Sequence, residues 1–235
     1  MGFADKEHID FVEGEILAFD KPLHWTSFDL VAKVRHTVCR AIGQKKLKVG
    51  HSGTLDPLAT GVVVVCTGRK TKLIDQLQYD DKEYVATLQL GATTPSFDME
   101  HPVDQTYPTD HITRALIDEV IPQFVGEQWQ VPPMYSAVWV DGKRAYQMAR
   151  KGETVELKPK LLVIDEIEVL AFDAETMLLT IRVVCSKGTY IRALARDIGE
   201  RLGSGAYLTA LRRTRVGDIR IGDCMTIDNF LLMMN

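Results

Sequence analysis

Apolar side chains recur at helical spacing in Leu30, Val31, Val34, Val38 and Ile42, which predicts an amphipathic helix with one buried face. Thr26 or Ser27 stands where a cap is needed, and Gly43 supplies a stop. The unbroken run Val62-Val63-Val64-Val65-Cys66 predicts a buried strand over 62–66, followed by a helix over about 70–77. Residues 83–90 alternate as a strand, and Ile112, Leu116, Ile117 and Val120 mark a second amphipathic helix. Pro132-Pro133 interrupts regular structure ahead of a short strand at 136–140, and a helix near 143–151 carries Ala145, Met148 and Ala149. Two strands, 162–172 and 176–185, flank a turn near Asp173. A helix over 190–202 carries Ile191, Leu194, Ile198 and Leu202, further strand covers 206–220, and a short helix covers 226–234. Helices and strands mix without regular βα alternation, which points to an α+β fold with a mixed, largely antiparallel sheet and flanking helices. Neither an internal repeat nor a low-complexity linker divides the chain.

The composition is that of an ordinary globular chain: 235 residues, 46% hydrophobic and 26% charged, enough for one or two domains. No apolar run approaches the roughly 20 residues that span a bilayer, and the first residues lack the basic-then-apolar pattern of a signal peptide. A cytoplasmic location is therefore expected. Cys39, Cys66, Cys185 and Cys224 are scattered, and the histidines show no metal-ligand spacing, so neither a metal nor a disulfide is expected. The net charge of −4 argues against nucleic acid, but its distribution argues for it. Lys33, Arg35, Arg40, Lys45, Lys46 and Lys48 follow one another with no intervening acid. Further basic groups stand at 69–72, 143–151 and 212–215, while acids gather in the first 20 residues, in 98–119 and in 153–175. Segregation of this kind can present a phosphate-facing surface, although any single cluster reads equally well as a solvated helix face.

The chemistry concentrates in Gly50-His51-Ser52-Gly53-Thr54-Leu55-Asp56-Pro57-Leu58-Ala59-Thr60-Gly61. One carboxylate, Asp56, sits in a segment whose backbone is restricted by Pro57 and released at three glycines, directly before the apolar strand. A lone acid on a stiff loop beside a core strand suits a pre-organised reactive group. On local physics alone, Asp56 is equally a side chain that satisfies a turn.

The segment resembles the catalytic motif of the TruB family of tRNA pseudouridine synthases. The similarity runs in family order from about residue 14 to about 219. It includes Lys21-Pro22 with Thr26-Ser27 and Asp29, the block Thr67-Gly68-Arg69-Lys70-Thr71-Lys72, and Lys82-Glu83-Tyr84. It continues through Pro132-Pro133-Met134-Tyr135-Ser136-Ala137, Gly142-Lys143-Arg144-Ala145-Tyr146, and Cys185-Ser186-Lys187-Gly188-Thr189-Tyr190-Ile191-Arg192. The last matching block is Leu208-Thr209-Ala210-Leu211-Arg212-Arg213-Thr214. The resemblance implies a single pseudouridine synthase domain over 1–235, without the small RNA-binding PUA domain that many relatives carry, and an RNA-binding thumb element at 127–152. It implies isomerisation of uridine at the T-arm position numbered 55 of tRNA, with Asp56 as the catalytic carboxylate, Tyr84 against the extruded base and Arg192 beside the carboxylate. RNA or substrate contacts are implied for His51, Leu208, Lys21, Lys72, Lys143, Arg144, Lys187 and Arg212. The reaction gains and loses no group, so no cofactor is expected; neither is an obligate protein partner, and a monomer is expected. Whether Asp56 attacks base or sugar, or only deprotonates, stays open.

Several features depart from the family pattern. Leu23-His24-Trp25 stands where a Gly usually follows Lys-Pro plus one residue, Phe28 replaces a common His, and Trp139 stands where a Lys is common. Two rival readings use the same residues: a tRNA-binding module without catalysis, and a synthase aimed at another RNA. The intact set Asp56, Tyr84 and Arg192 speaks against the first, since binding alone has no need of it. A phosphate loop and a dinucleotide fingerprint each lack a required residue, while a two-carboxylate glycosidase stays formally open although no second acid is specified near Asp56.

Overall fold

A computed structural model describes residues 9–234. Along the chain the strands are β1 (Ile16–Lys21), β2 (Val49–His51), β3 (Ala59–Thr67), β4 (Lys82–Leu90), β5 (Ala92–Thr93), β6 (Gln105–Thr106), β7 (Gly126–Gln130), β8 (Trp139–Val140), β9 (Lys143–Arg144), β10 (Lys160–Asp173), β11 (Leu178–Cys185), β12 (Ala206–Val216) and β13 (Ile219–Arg220). The α-helices are α1 (Ser27–Ala41), α2 (Ile74–Leu77), α3 (Arg114–Val120), α4 (Ala145–Ala149), α5 (Ile191–Arg201) and α6 (Ile227–Met234). They form two compact units, residues 9–84 with 212–234 and residues 85–211. The α+β class with a largely antiparallel sheet and flanking helices is as expected.

In the first unit the strand order is β1-β3-β12, with β2 on β3 and β13 on β12. Helix α1 starts where the sequence puts it: Thr26 accepts the Asp29 amide while Asp29 accepts the Thr26 amide, a reciprocal cap. Leu30, Val31, Val34 and Val38 are buried on its inner face. Phe19 of β1 meets Phe230 of α6 edge to face at 5.3 Å. Gly61 has φ of +111°, and a Cβ there would lie 2.1 Å from the carbonyl oxygen of Arg213. Only glycine allows β3 and β12 to approach this closely at that point.

In the second unit the order is β4-β11-β10-β7, with β12 beyond β4. β10 pairs antiparallel with both β11 and β7. Helix α5 buries Ile191, Leu194 and Ile198 as its periodicity predicts.

The differences from expectation have local causes. The strand expected over 136–140 is paired only at Trp139–Val140. The Ser136, Ala137 and Val138 carbonyls instead accept from Tyr146, Arg144 and Ala145, which curls the segment back on itself. The helix expected over 70–77 begins as a 3₁₀ turn, Gly68–Leu73, and becomes α-helical only at Ile74.

Candidate active site

Asp56 lies between β2 and β3, and bonds to its neighbours fix its backbone. The Ser27 hydroxyl, at the start of α1, accepts the Leu55 amide at 2.9 Å and lies 3.2 Å from the Leu55 carbonyl. The His24 amide donates to the Pro57 carbonyl at 2.8 Å, and the Ala59 amide to the Asp56 carbonyl at 3.0 Å. Arg213 holds the approach to the loop from β12. Its guanidinium is buried and donates to the carbonyls of Val62 (2.7 Å), Gly53 (3.2 Å) and Thr54 (3.4 Å). Residues on both sides of Asp56 are thus anchored, as positioning a reactive carboxylate requires.

Lys21 ends β1, and its side chain is 0% exposed. The ammonium donates to the carbonyls of Trp25 (2.6 Å) and Pro22 (2.9 Å). Burial, with the nearby Arg213 charge, pushes its pKa down to about 8 against the pull of the Asp56 carboxylate, the largest opposing influence. Lys21 therefore serves the interior of this loop. The Lys21 charge is set in the interior near Asp56, held by backbone carbonyls. Arg213 likewise leaves the basic surface expected for 212–215.

His51 closes β2, and its Nδ1 is buried without a partner among the described residues. Desolvation and then the Arg213 charge lower its pKa, so the ring is neutral near pH 7. Arg212 reaches the Asp20 carboxylate at 2.8 Å and the Thr60 hydroxyl at 3.1 Å. Tyr84 is buried at an inward position of β4.

Of the other expected residues, the second unit holds Arg192, Leu208, Lys143, Arg144 and Lys187, and the first holds Lys72. Arg192, in the first turn of α5, is 5% exposed. Its guanidinium lies 3.6 Å from the Asp98 carboxylate and donates to the carbonyls of Tyr135 (2.9 Å) and Ser96 (3.2 Å). Asp98 is fixed in turn by the Ser96 hydroxyl at 2.6 Å and the Glu100 amide at 2.9 Å. Asp98 is absent from the residues singled out by sequence, because an Asp in the loop Pro95-Ser96-Phe97-Asp98 carries no signal until its buried partner is known. Leu208 is buried in β12, its amide on the Phe97 carbonyl at 3.0 Å. Lys72, Lys143 and Lys187 are exposed, and Arg144 is half-buried with its guanidinium 4.0 Å over the Trp139 ring. A cavity of about 390 Å³ in this unit, lined by Phe124, Trp129, Ile164, Leu194 and Asp197 among others, contains none of the expected site residues.

The family model described as TruB family pseudouridylate synthase (N terminal domain) matches residues 40–191. A second, described as tRNA pseudouridylate synthase B C-terminal domain, matches 192–235. The chain belongs to the TruB family of pseudouridylate synthases. It is 63% identical over 222 residues to a protein of Phocaeicola vulgatus named tRNA pseudouridine synthase B, covering 94% of each chain. A protein of the same name from Bacteroides thetaiotaomicron is 64% identical over 224 residues, covering 94% of this chain and 93% of that one. Among solved structures, a chain of a Cbf5-Nop10-Gar1 complex superposes with a TM-score of 0.67 at 28% identity, over 94% of this chain and 54% of the other. A chain of an H/ACA RNP bound to a substrate RNA containing 2′-deoxyuridine gives 0.66 at 26% identity, over 94% and 53%. The chain thus spans about half the length of those two solved chains. The TruB match over 40–191 contains Asp56 and Tyr84, and Arg192 opens the second match.

The buried ammonium has a measurable consequence. In the folded protein Lys21 releases its proton near pH 8, whereas the unfolded side chain holds it to about 10.5. The cost of burying the charge is carried in full below pH 8, and stability from this group rises between pH 8 and 10.5. Turnover should move the other way, because deprotonation removes a cation that acts on the Asp56 side chain. The expected kcat profile of the wild type has a descending limb near pH 8 that is absent from Lys21→Met, itself slower at neutral pH. The same limb in both proteins would exclude Lys21 as its source.

Proposed function

We propose that the chain converts uridine to pseudouridine in the T arm of tRNA, at the position numbered 55. The observation that carries this reading is the anchored Asp56 loop within a chain of the TruB family. In the reaction the N1–C1′ bond breaks, the base turns and C5 bonds to C1′; the C5 proton leaves and N1 is protonated. Atoms and electrons balance without a redox step, and the demand is for one anion beside sugar and base. Asp56 supplies it, Arg192 is its cationic partner during the reaction, and Tyr84 positions the extruded base. The two relatives at 63% and 64% identity carry a tRNA-modifying name, whereas the chain of an H/ACA RNP bound to a substrate RNA shares 26% and that of a Cbf5-Nop10-Gar1 complex 28%. That contrast favours a stand-alone enzyme on tRNA over a guide-dependent one, and a cytoplasmic location beside its substrate. No helix of the described residues is long and apolar enough to cross a membrane. Mapping pseudouridine in a treated tRNA transcript tests the assignment: one modified site in the T arm is expected, and modification elsewhere contradicts it.

The basic surface follows from the fold. Lys45, Lys46 and Lys48 are exposed, and the Lys48 carbonyl accepts the Gly68 amide at 2.9 Å, which joins this loop to the turn carrying Lys72. If these four lysines meet phosphates, affinity for tRNA should fall roughly a hundredfold between about 50 and 200 mM salt, as about four contacts require. A flat salt dependence would return them to solvent.

Residues 127–130 belong to the paired strand β7, so the closing element within 127–152 is proposed for the part after Gln130. Its contacts with the rest of the unit include the tilted His101–Tyr135 ring pair at 4.5 Å, Arg150 3.9 Å from Glu100, and two bonds from α5, Arg192 to the Tyr135 carbonyl (2.9 Å) and Arg196 to the Val131 carbonyl (3.1 Å), all of which closure would have to keep or rearrange. Backbone amides of 131–152 should gain protection from hydrogen exchange when tRNA binds. Strong protection already present in the free protein would show a fixed hairpin instead.

A further inference from the structure

Leu23-His24-Trp25 and Phe28 depart from the family pattern, and the side chains of Leu23 and Phe28 have no part in the loop anchoring described above. His24 takes the place of the usual Gly and keeps a glycine-like backbone, φ +65°, a region that His enters more readily than most side chains. That turn brings the His24 amide onto the carbonyl of Pro57, the residue after Asp56. Close by in the chain, the Ser27 hydroxyl holds the backbone of Leu55, the residue before Asp56. The two residues next to these anchors, Leu23 and Phe28, are the ones that point outward, 47% and 67% exposed. Exposed apolar side chains are common on this chain, and these two are set apart by their place in it. Here a large ring and a branched aliphatic chain are left in water on segments hydrogen-bonded to both flanks of the reactive carboxylate.

Resting on the RNA reading above, we propose that Phe28, flanked by Leu23, is a stacking shelf for an unpaired base of the substrate RNA adjacent to the uridine undergoing reaction. Extruding the target uridine takes away a stacking partner from the neighbouring base in the loop. An exposed aromatic face replaces that partner without regard to base identity. Arg40, at the far end of α1, and Lys45, Lys46 and Lys48, in the loop after it, are exposed on the same unit, where they can meet the backbone of an RNA whose loop lies over Phe28. An apolar protein surface would gain nothing from that charge. Phe28 is accordingly a positioning residue: it sets where the RNA rests and takes no part in bond making.

The experiment has two arms. In the first, Phe28→Ala should raise KM for tRNA about tenfold, the scale of one base–aromatic stack, with kcat within about twofold. Phe28→Tyr should restore KM, and Phe28→Leu should not, which separates a flat aromatic face from mere apolar bulk. An unchanged KM in Phe28→Ala overturns the proposal while wild-type turnover still supports the reaction. In the second arm, a photoreactive phenylalanine analogue at position 28 is irradiated with tRNA. Attachment to one unpaired nucleotide of the T loop is expected. Attachment to a second copy of the protein, to a base-paired nucleotide, or to nothing overturns the proposal. This arm needs no turnover, so it decides for or against the shelf even if the tRNA reaction itself fails.

Discussion

Asp56→Asn is expected to abolish isomerisation, by more than about a thousandfold, while tRNA affinity stays within about twofold of wild type. The amide keeps the shape of the carboxylate and removes its charge and basicity. The loop should survive because the bonds that hold it come from elsewhere. Leu55 is fixed by Ser27, Pro57 by His24, and Gly53 and Thr54 by Arg213. Lys21 offers an independent check on the same variant. With Asp56 neutral, the main influence holding its pKa up is lost, so it should titrate below the value of about 8. Turnover above trace levels in a folded Asp56→Asn protein would remove Asp56 from the chemistry.

The second large effect is expected at Arg192. Arg192→Ala should cut turnover by at least about a hundredfold and also destabilise the fold by about 3 kcal/mol, because it leaves the buried Asp98 carboxylate without its partner. The partners of the side chain include one carboxylate and two carbonyls, those of Asp98, Ser96 and Tyr135. Arg192→Lys keeps the charge but lacks the planar fork that serves several acceptors at once. It should recover part of the stability and little of the activity. The double variant Arg192→Met with Asp98→Asn removes the uncompensated charge. It should fold better than Arg192→Ala and remain inactive. Recovery of turnover in that double variant would mean that Arg192 only supports the fold.

Parts of this molecule are legible in the sequence, and the rest is hidden for physical reasons. Helix α1 can be read because its apolar period and its Thr26–Asp29 cap agree, and β3 because its run is apolar on both faces. Strand β1 escapes the pattern because its third inward position, after Leu17 and Phe19, is Lys21. A buried cation breaks the alternation that marks a strand. Strand β7 escapes it because its pattern is inverted. Gln130 is buried and exchanges bonds with the Tyr190 backbone, while its apolar neighbour Trp129 faces water. Within the candidate site, Asp56 stands out through its rigid surroundings. Lys21 and Arg213 read as surface charge, since burial of a cation becomes visible only when the carbonyls that hold it are brought together by the fold. Asp98 is the converse, an ordinary loop acid that matters through Arg192.

The central claim is that one uridine of tRNA is isomerised at the expense of its C5 proton. The most direct measurement is tritium release from a tRNA transcript labelled at C5 of every uridine, compared with a transcript in which the T-arm uridine at position 55 is replaced by cytidine. Release of one tritium per tRNA is predicted from the first transcript and none above background from the second. Equal release from both transcripts, or none from either, would contradict the claim.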